Sequence, residues 1–171
     1  MRFGDFLKAT VLLSAGSATA LAAIAVIGMA RDGGGVVVEV TVAWWFVAAL
    51  VGITLGRRAE ASPPIAGLLA GARSQTTLPE LHPGRTLLNR LWPLLFSTIG
   101  AGVLAVFQPQ VASIAAGFAI IWALAWRRQE SAVAAIEERD GVRFYVDRTS
   151  PLSPIRLIRT PGFGGTFLPR A

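Results

Sequence analysis

Cysteine is absent from this chain, and histidine, lysine and tyrosine occur once each. Without thiols there is no disulfide, no thiolate nucleophile and no Cys-ligated metal. The single imidazole, His82, falls short of the donor set of a zinc or haem site, so no cofactor and no metal is expected. Acid is scarce as well: ten Asp and Glu stand against sixteen Lys and Arg, a net charge of +6. The P-loop, GxGxxG and HExxH patterns are missing. Gly33-Gly34-Gly35 has neither the lysine nor the following helix cap of a phosphate cradle and reads as a flexible turn.

Charge is also missing from the interior of four long stretches, and that shortage sets the class. Hydrophobic residues make up 53% of the 171 residues, and the mean hydropathy is +0.57. The apolar runs cover about residues 9–29, 38–56, 91–107 and 111–127. A helix needs ~20 predominantly apolar residues to cross the hydrocarbon core. The expected fold class is therefore an all-α integral membrane protein: a four-transmembrane-helix bundle over residues 1–130, with a loop at 57–90. A short C-terminal tail, 131–171, carries a small β-hairpin. The first run is longer than the ~7–15 apolar residues of a signal peptide, which favours a retained helix.

The basic residues sort by side. Arg2 and Lys8 precede the first run. Arg57, Arg58, Arg73, Arg85 and Arg90 separate the second from the third, and eight arginines from Arg127 to Arg170 follow the fourth. Only Arg31 falls in the opposite loops. Positive residues in short loops stay on the cytoplasmic side. The expected protein is thus multi-pass in the cell membrane, with N-terminus, central loop and C-terminus in the cytoplasm. The same rule accounts for the basic total, so no nucleic acid is expected as a partner. Fifteen arginines to one lysine, with abundant Ala and Gly, point to a GC-rich bacterial genome.

Several local readings follow. Residues 36–42 are rich in β-branched side chains, which favour extended backbone. The second helix is therefore expected to start near Val40, with Glu39 towards the headgroups and Trp44 and Trp45 in the outer third. Pro93 falls in the first turn of the third run, where proline is tolerated. Gln108-Pro109-Gln110 reads as a tight hairpin between arms of about 25 Å, short enough that a re-entrant hairpin is the alternative to two crossings. Ser62-Pro63-Pro64 breaks the second helix. The apolar face of 65–72 then has two placements, on the inner membrane interface or packed on the bundle. In the tail, 127–140 is a polar helix that stops at Asp140-Gly141. Val142, Phe144 and Val146 alternate with polar residues as a strand, and 155–159 pairs back as a second one.

Candidate contact residues fall in three groups. Arg57, Arg58, Arg127 and Arg128 flank the runs and are expected to hold lipid headgroups, at ~1 kcal/mol each near an anionic leaflet. Ala48, Gly52, Gly56, Ala115 and Ala119 recur at spacings of four and are candidates for close helix packing, with Gly52 and Gly56 the best seam for a homo-oligomer. Arg143, Phe144, Tyr145, Arg156 and Arg159 form the candidate contact surface of the tail. Catalysis has little to work with. A serine nucleophile needs an adjacent base, and no His or Lys lies in any run. Glu39 has no partner carboxylate or base for a proton relay. His82 beside Glu80 is a lone loop histidine, more often plain surface than a general base. The expectation is a non-catalytic structural or accessory membrane component, not an enzyme. It would contact membrane lipids and a protein partner through its tail. The alternative is a homo-oligomeric small transporter or channel subunit.

Overall fold

The computed structural model describes residues 1–33, 35–57, 60–75, 83–147 and 153–161. The elements in chain order are α1 (Phe3–Arg31), α2 (Val36–Leu55), α3 (Pro63–Ala70), β1 (Arg73–Ser74), α4 (Pro83–Leu104), α5 (Pro109–Trp126), α6 (Gln129–Asp140), β2 (Val142–Val146) and β3 (Leu157–Pro161). Four helices are long and apolar enough to cross a membrane: α1, α2, α4, and the α5–α6 unit taken together. Arg58, one of the candidate headgroup contacts, and the Glu80–His82 pair lie outside the described residues.

Helix α5 is central, flanked by α1 and α2, while α4 leans against α1 and α5. Two sets of buried residues divide the molecule. One, built on Leu21, Ala25, Met29, Ala105, Ala112 and Ala116, lies among α1, α4 and α5 and is dominated by small side chains. The other joins Phe3, Phe6 and Leu7 of α1 to Ile65 of α3, Val133 of α6 and the strand residues Val142, Phe144, Val146 and Leu157. This second core defines a cap at one end of the helices. Its existence explains the length of α1. Twenty-nine residues reach about 44 Å at 1.5 Å each, more than the ~30 Å hydrocarbon core, and the excess first turns belong to the cap.

The cap sheet has the order β1-β3-β2. β2 and β3 pair antiparallel, with Phe144 opposite Arg159 and Val146 opposite Leu157. β1 adds in parallel along the far side of β3. On the other side of β2, Arg2 bridges Tyr145, and the Val146 N–H donates to the Met1 carbonyl at 3.0 Å. An isolated hairpin is marginal in water, and unpaired edges invite unwanted pairing. Here the loop covers one edge and the N-terminus the other. Gly141, at φ 63° and ψ 33°, takes the left-handed conformation that lets α6 end and β2 begin.

Four local expectations need correcting. α2 is helical from Val36, not from Val40. Strand propensity there is overridden by packing: Val37 lies against the small-residue core, and the Thr41 hydroxyl donates to Met29 Sδ at 3.5 Å. α4 begins at Pro83, so Pro93 is inside the helix rather than in its first turn, and it leaves the Asn89 carbonyl without its ladder donor. The reversal between α4 and α5 is made by Ala105, Val106 and Phe107, while Pro109 opens α5. The second tail strand is Leu157–Pro161, two residues beyond 155–159. Of the two placements for 65–72, the chain takes the packed one. Ile65 is 1% exposed, and Leu68, Leu69 and Ala72 lie against the cap core.

Candidate functional site

Two features hold the chain's unusual chemistry: a carboxylate at the heart of the cap and a cleft beside α4. The carboxylate is Glu137, whose side chain is 5% exposed. Its Oε1 accepts the backbone N–H of Phe144 at 2.9 Å. Its Oε2 accepts from Arg2 Nη2 at 3.4 Å and from Arg143 Nη1 at 3.3 Å. A buried carboxylate must be paired and hydrogen-bonded to persist. Here the pairing ties the N-terminus, α6 and β2 at one point. Gln129 acts similarly one element earlier: its Oε1 accepts the Ser62 N–H at 2.9 Å, fixing the entry to α3 against the start of α6. At the N-terminus, burial holds the Met1 amine below its ordinary value, with Asp5 pulling it back up.

The cap shows its arginines to the outside. Arg73, Arg143, Arg156 and Arg159 are exposed. Arg73 and Arg156 flank a shallow pocket of about 260 Å³ beside Leu68 and Leu157, and neither makes an ion pair among the described residues. Of the expected tail contact surface, Arg143, Arg156 and Arg159 are exposed and Tyr145 half-buried. Phe144 is the exception: at 3% exposure it is cap core. Strand alternation turns it, with Val142 and Val146, onto the face that meets α1.

The arginines bracketing the helices differ in use. Arg57 and Arg127 are exposed. Arg128 reaches back, its Nη1 donating to the Arg57 carbonyl at 3.1 Å, and so satisfies an acceptor just past the C-terminal end of α2.

The small residues separate into two groups. Ala48 and Gly52 lie on the buried stripe of α2. A Cβ on Gly52 would stand 2.8 Å from Leu124 Cβ and 3.2 Å from Ile121 Cα, and one on Gly56 would overlap the Leu124 carbonyl oxygen. This seam is occupied by α5 of the same chain. Alongside it, Trp44 and Trp45 donate their indole N–H groups to the Ile114 and Ser113 carbonyls at 3.3 and 2.9 Å, and Ser113 donates to Thr41 at 2.9 Å. The two tryptophans, expected in the outer third of the membrane, are α2–α5 links, and Gly117 makes room for the Trp44 ring. Ala115 and Ala119 instead line the cleft on the opposite side of α5.

That cleft, of about 600 Å³, lies between α4 and the α1–α5 pair, and Thr10, Ser14, Arg90, Phe118 and Trp122 also border it. Most of its hydroxyls are satisfied within the chain. Thr10 bonds the Phe6 carbonyl and Ser97 the Leu94 carbonyl. Thr98 bonds the Leu94 carbonyl and reaches Ser17 at 3.1 Å. Ser14 makes no hydrogen bond among the described residues, and its hydroxyl is open to the cleft rather than sealed in protein. Arg90 stands at the cap end, where Nη1 donates to the Ser153 carbonyl. Sequence reasoning gave no site role to Glu137, Gln129, Ser14 or Arg90; Arg90 left a signal as the last charge before the third apolar run, and Ser14 as a hydroxyl inside the first. Among the described residues no group of three or more His, Cys, Asp or Glu is placed to hold a metal ion. Compared with protein-family models, curated proteins and solved structures, the chain matches none.

Proposed function

We propose that the chain is a non-catalytic accessory protein of a cell membrane, crossing it four times with the cap and both termini in the cytoplasm. The asymmetry of its basic residues supports that orientation, since a single arginine of sixteen Lys and Arg falls in the opposite loops. The observation that carries the accessory role is the construction of the cap. N-terminus, central loop and tail are joined into one sheet and locked at Glu137, so Arg73, Arg156 and Arg159 are held outward on a fixed surface. Preorganised basic groups favour an acidic partner surface, because little side-chain and loop ordering is left for the moment of binding. The partner proposed is an acidic patch of a neighbouring membrane-associated protein, with anionic headgroups as a secondary contact.

The test is in-cell crosslinking of the full chain beside a variant carrying Arg73→Glu, Arg156→Glu and Arg159→Glu. These positions are exposed, so the variant retains the cap. Specific adducts lost by charge reversal are the expected result; an unchanged adduct pattern would remove the reading. Truncation at Asp140 is a poorer test, because it strips Phe3, Phe6 and Ile65 of their covering strands. The alternative, a homo-oligomeric transporter or channel subunit, has less support. Its best seam, Gly52 and Gly56, already abuts α5.

A further inference from the structure

We infer that the cleft beside α4 is a binding site for one phospholipid of the cap-side leaflet, with an acyl chain along the cleft and the phosphate at Arg90. Three observations carry it.

The first is shape. On α1 the lining extends from Thr10 to Leu21, eleven residues or about 17 Å of helix. One leaflet contributes about half of the ~30 Å hydrocarbon core. The cleft therefore matches the depth of a single acyl chain entering from the cap side. Its walls are apolar over most of that length, with Leu91, Leu94, Phe118 and Trp122 among them.

The second is charge. Arg90 borders the cleft at its cap end and is held there by the Ser153 carbonyl. A guanidinium is planar and matches phosphate oxygens in pairs. It lies at the level where α4 leaves the cap, which is headgroup depth in the proposed orientation.

The third is Ser14. The other hydroxyls of the cleft back-bond to helix carbonyls or to one another. Ser14 alone of these makes no hydrogen bond among the described residues, and its hydroxyl opens on the cleft rather than being sealed in protein. One turn deeper than Thr10, it is placed to donate to an ester carbonyl of a lipid whose phosphate is at Arg90. Neighbouring α4 favours the same occupant. It is the least buried of the four candidate spans, and Pro93, which interrupts its ladder, lines the cleft.

The inference rests on the membrane reading above, and the experiment separates the two. The full chain is reconstituted in vesicles of phosphatidylglycerol and phosphatidylethanolamine. A trace of phosphatidylglycerol carries a diazirine midway along one acyl chain; a parallel sample carries diacylglycerol with the same chain. After illumination, adducts are mapped by peptide. Alkaline extraction of the vesicles first reports whether the chain is embedded, and a chain that is released overturns the membrane reading itself. For an embedded chain, the expected result is labelling concentrated on cleft residues of α4 and α5. Phosphatidylglycerol should exceed diacylglycerol about fivefold, the scale of one basic group at an anionic headgroup. Arg90→Gln should abolish that preference, and Ser14→Ala should lower cleft labelling two- to fivefold, about one hydrogen bond. Ser14→Ala removes no hydrogen bond among the described residues, so the fold is expected to be retained. Ala119→Trp should empty the cleft of label while Ala23→Trp, on the outer face of α1, leaves it. Labelling spread evenly over Phe46, Phe96 and the other outward-facing side chains, and indifferent to Ser14→Ala, would overturn the inference.

Discussion

The two sides of α5 are packed by opposite means. Towards α2 the contact is made by Gly52, Gly56, Ala48 and Gly117, and none of the three glycines has room for a Cβ: Gly52 and Gly56 meet the α5 backbone at Ile121 and Leu124, and Gly117 meets the Trp44 ring. Towards α4 the facing residues include Leu91, Leu94, Phe118 and Trp122, and a cleft of about 600 Å³ is left. Lipid supplies no hydrophobic drive for helices to meet, so close approach depends on small side chains and dispersion. The tight side is also stitched by hydrogen bonds from Trp44, Trp45 and Ser113, whereas α4 has one polar link to α1 in the span, Thr98 to Ser17, among the described residues. Side-chain size sets where the helices touch, and therefore where a ligand has space.

The sharpest way to break this contrast is to put the same side chain on both sides of α5. Gly52→Leu should lose about 3 kcal/mol or more, because overpacking against a helix backbone cannot relax locally. Ala115→Leu, which grows into the cleft, should stay within about 1 kcal/mol of the parent. Unfolding in mixed micelles measures both; similar losses at the two sites would erase the distinction. Next in size is Glu137→Ala, expected to cost about 2–3 kcal/mol through the orphaned Phe144 N–H and two arginines. Hydrogen exchange should rise across α6 and β2 while the amides of α2 and α5 keep their protection. Equal loosening of both regions would show that cap and helices unfold as one unit.

Smaller effects grade the polar links. Ser113→Ala and Thr98→Val should each cost about 0.6 kcal/mol, the usual value for such bonds between membrane helices. Their consequences should differ: Ser113→Ala loosens α2 against α5, while Thr98→Val widens the cleft, readable as a longer distance between spin labels on α1 and α4. The smallest effect is expected at Met1. Burial lowers the pKa of its amine on folding, so the folded chain binds fewer protons there than the unfolded chain. The penalty is full below the folded value and gone above the ordinary value near 8. Stability should therefore rise slightly with pH across that window, and N-terminal acetylation should flatten the slope.

Much of the bundle was legible beforehand. The four apolar runs, the recurring small residues of the second and fourth, and the Asp140-Gly141 stop are local patterns, and periodicity reads local patterns well. The failures share a cause. Residues 36–42 have the composition of a strand, but Val37 and Thr41 find partners on other helices, and those contacts outweigh a weak β-preference. From sequence, Phe144 is placed on the tail's contact surface because its covering residues, Phe3, Phe6 and Ile65, lie more than seventy positions earlier. The edges of the tail hairpin are closed by Met1, Arg2 and β1, and no single segment shows that such pieces will meet.

By itself, then, the sequence determined the solvent this chain suits, the number of its apolar helices and the end at which its positive charge collects. These follow from composition over windows of about twenty residues. Only the tertiary structure decided that three distant segments make one cap, that Glu137 closes it, that Gly52 and Gly56 face α5, and that Ser14 is left beside an apolar cleft with Arg90 at its end. Those outcomes depend on which helix faces meet. Adjacent helices differ by a fraction of a turn and a few ångströms of approach, quantities that a pattern along one chain does not contain.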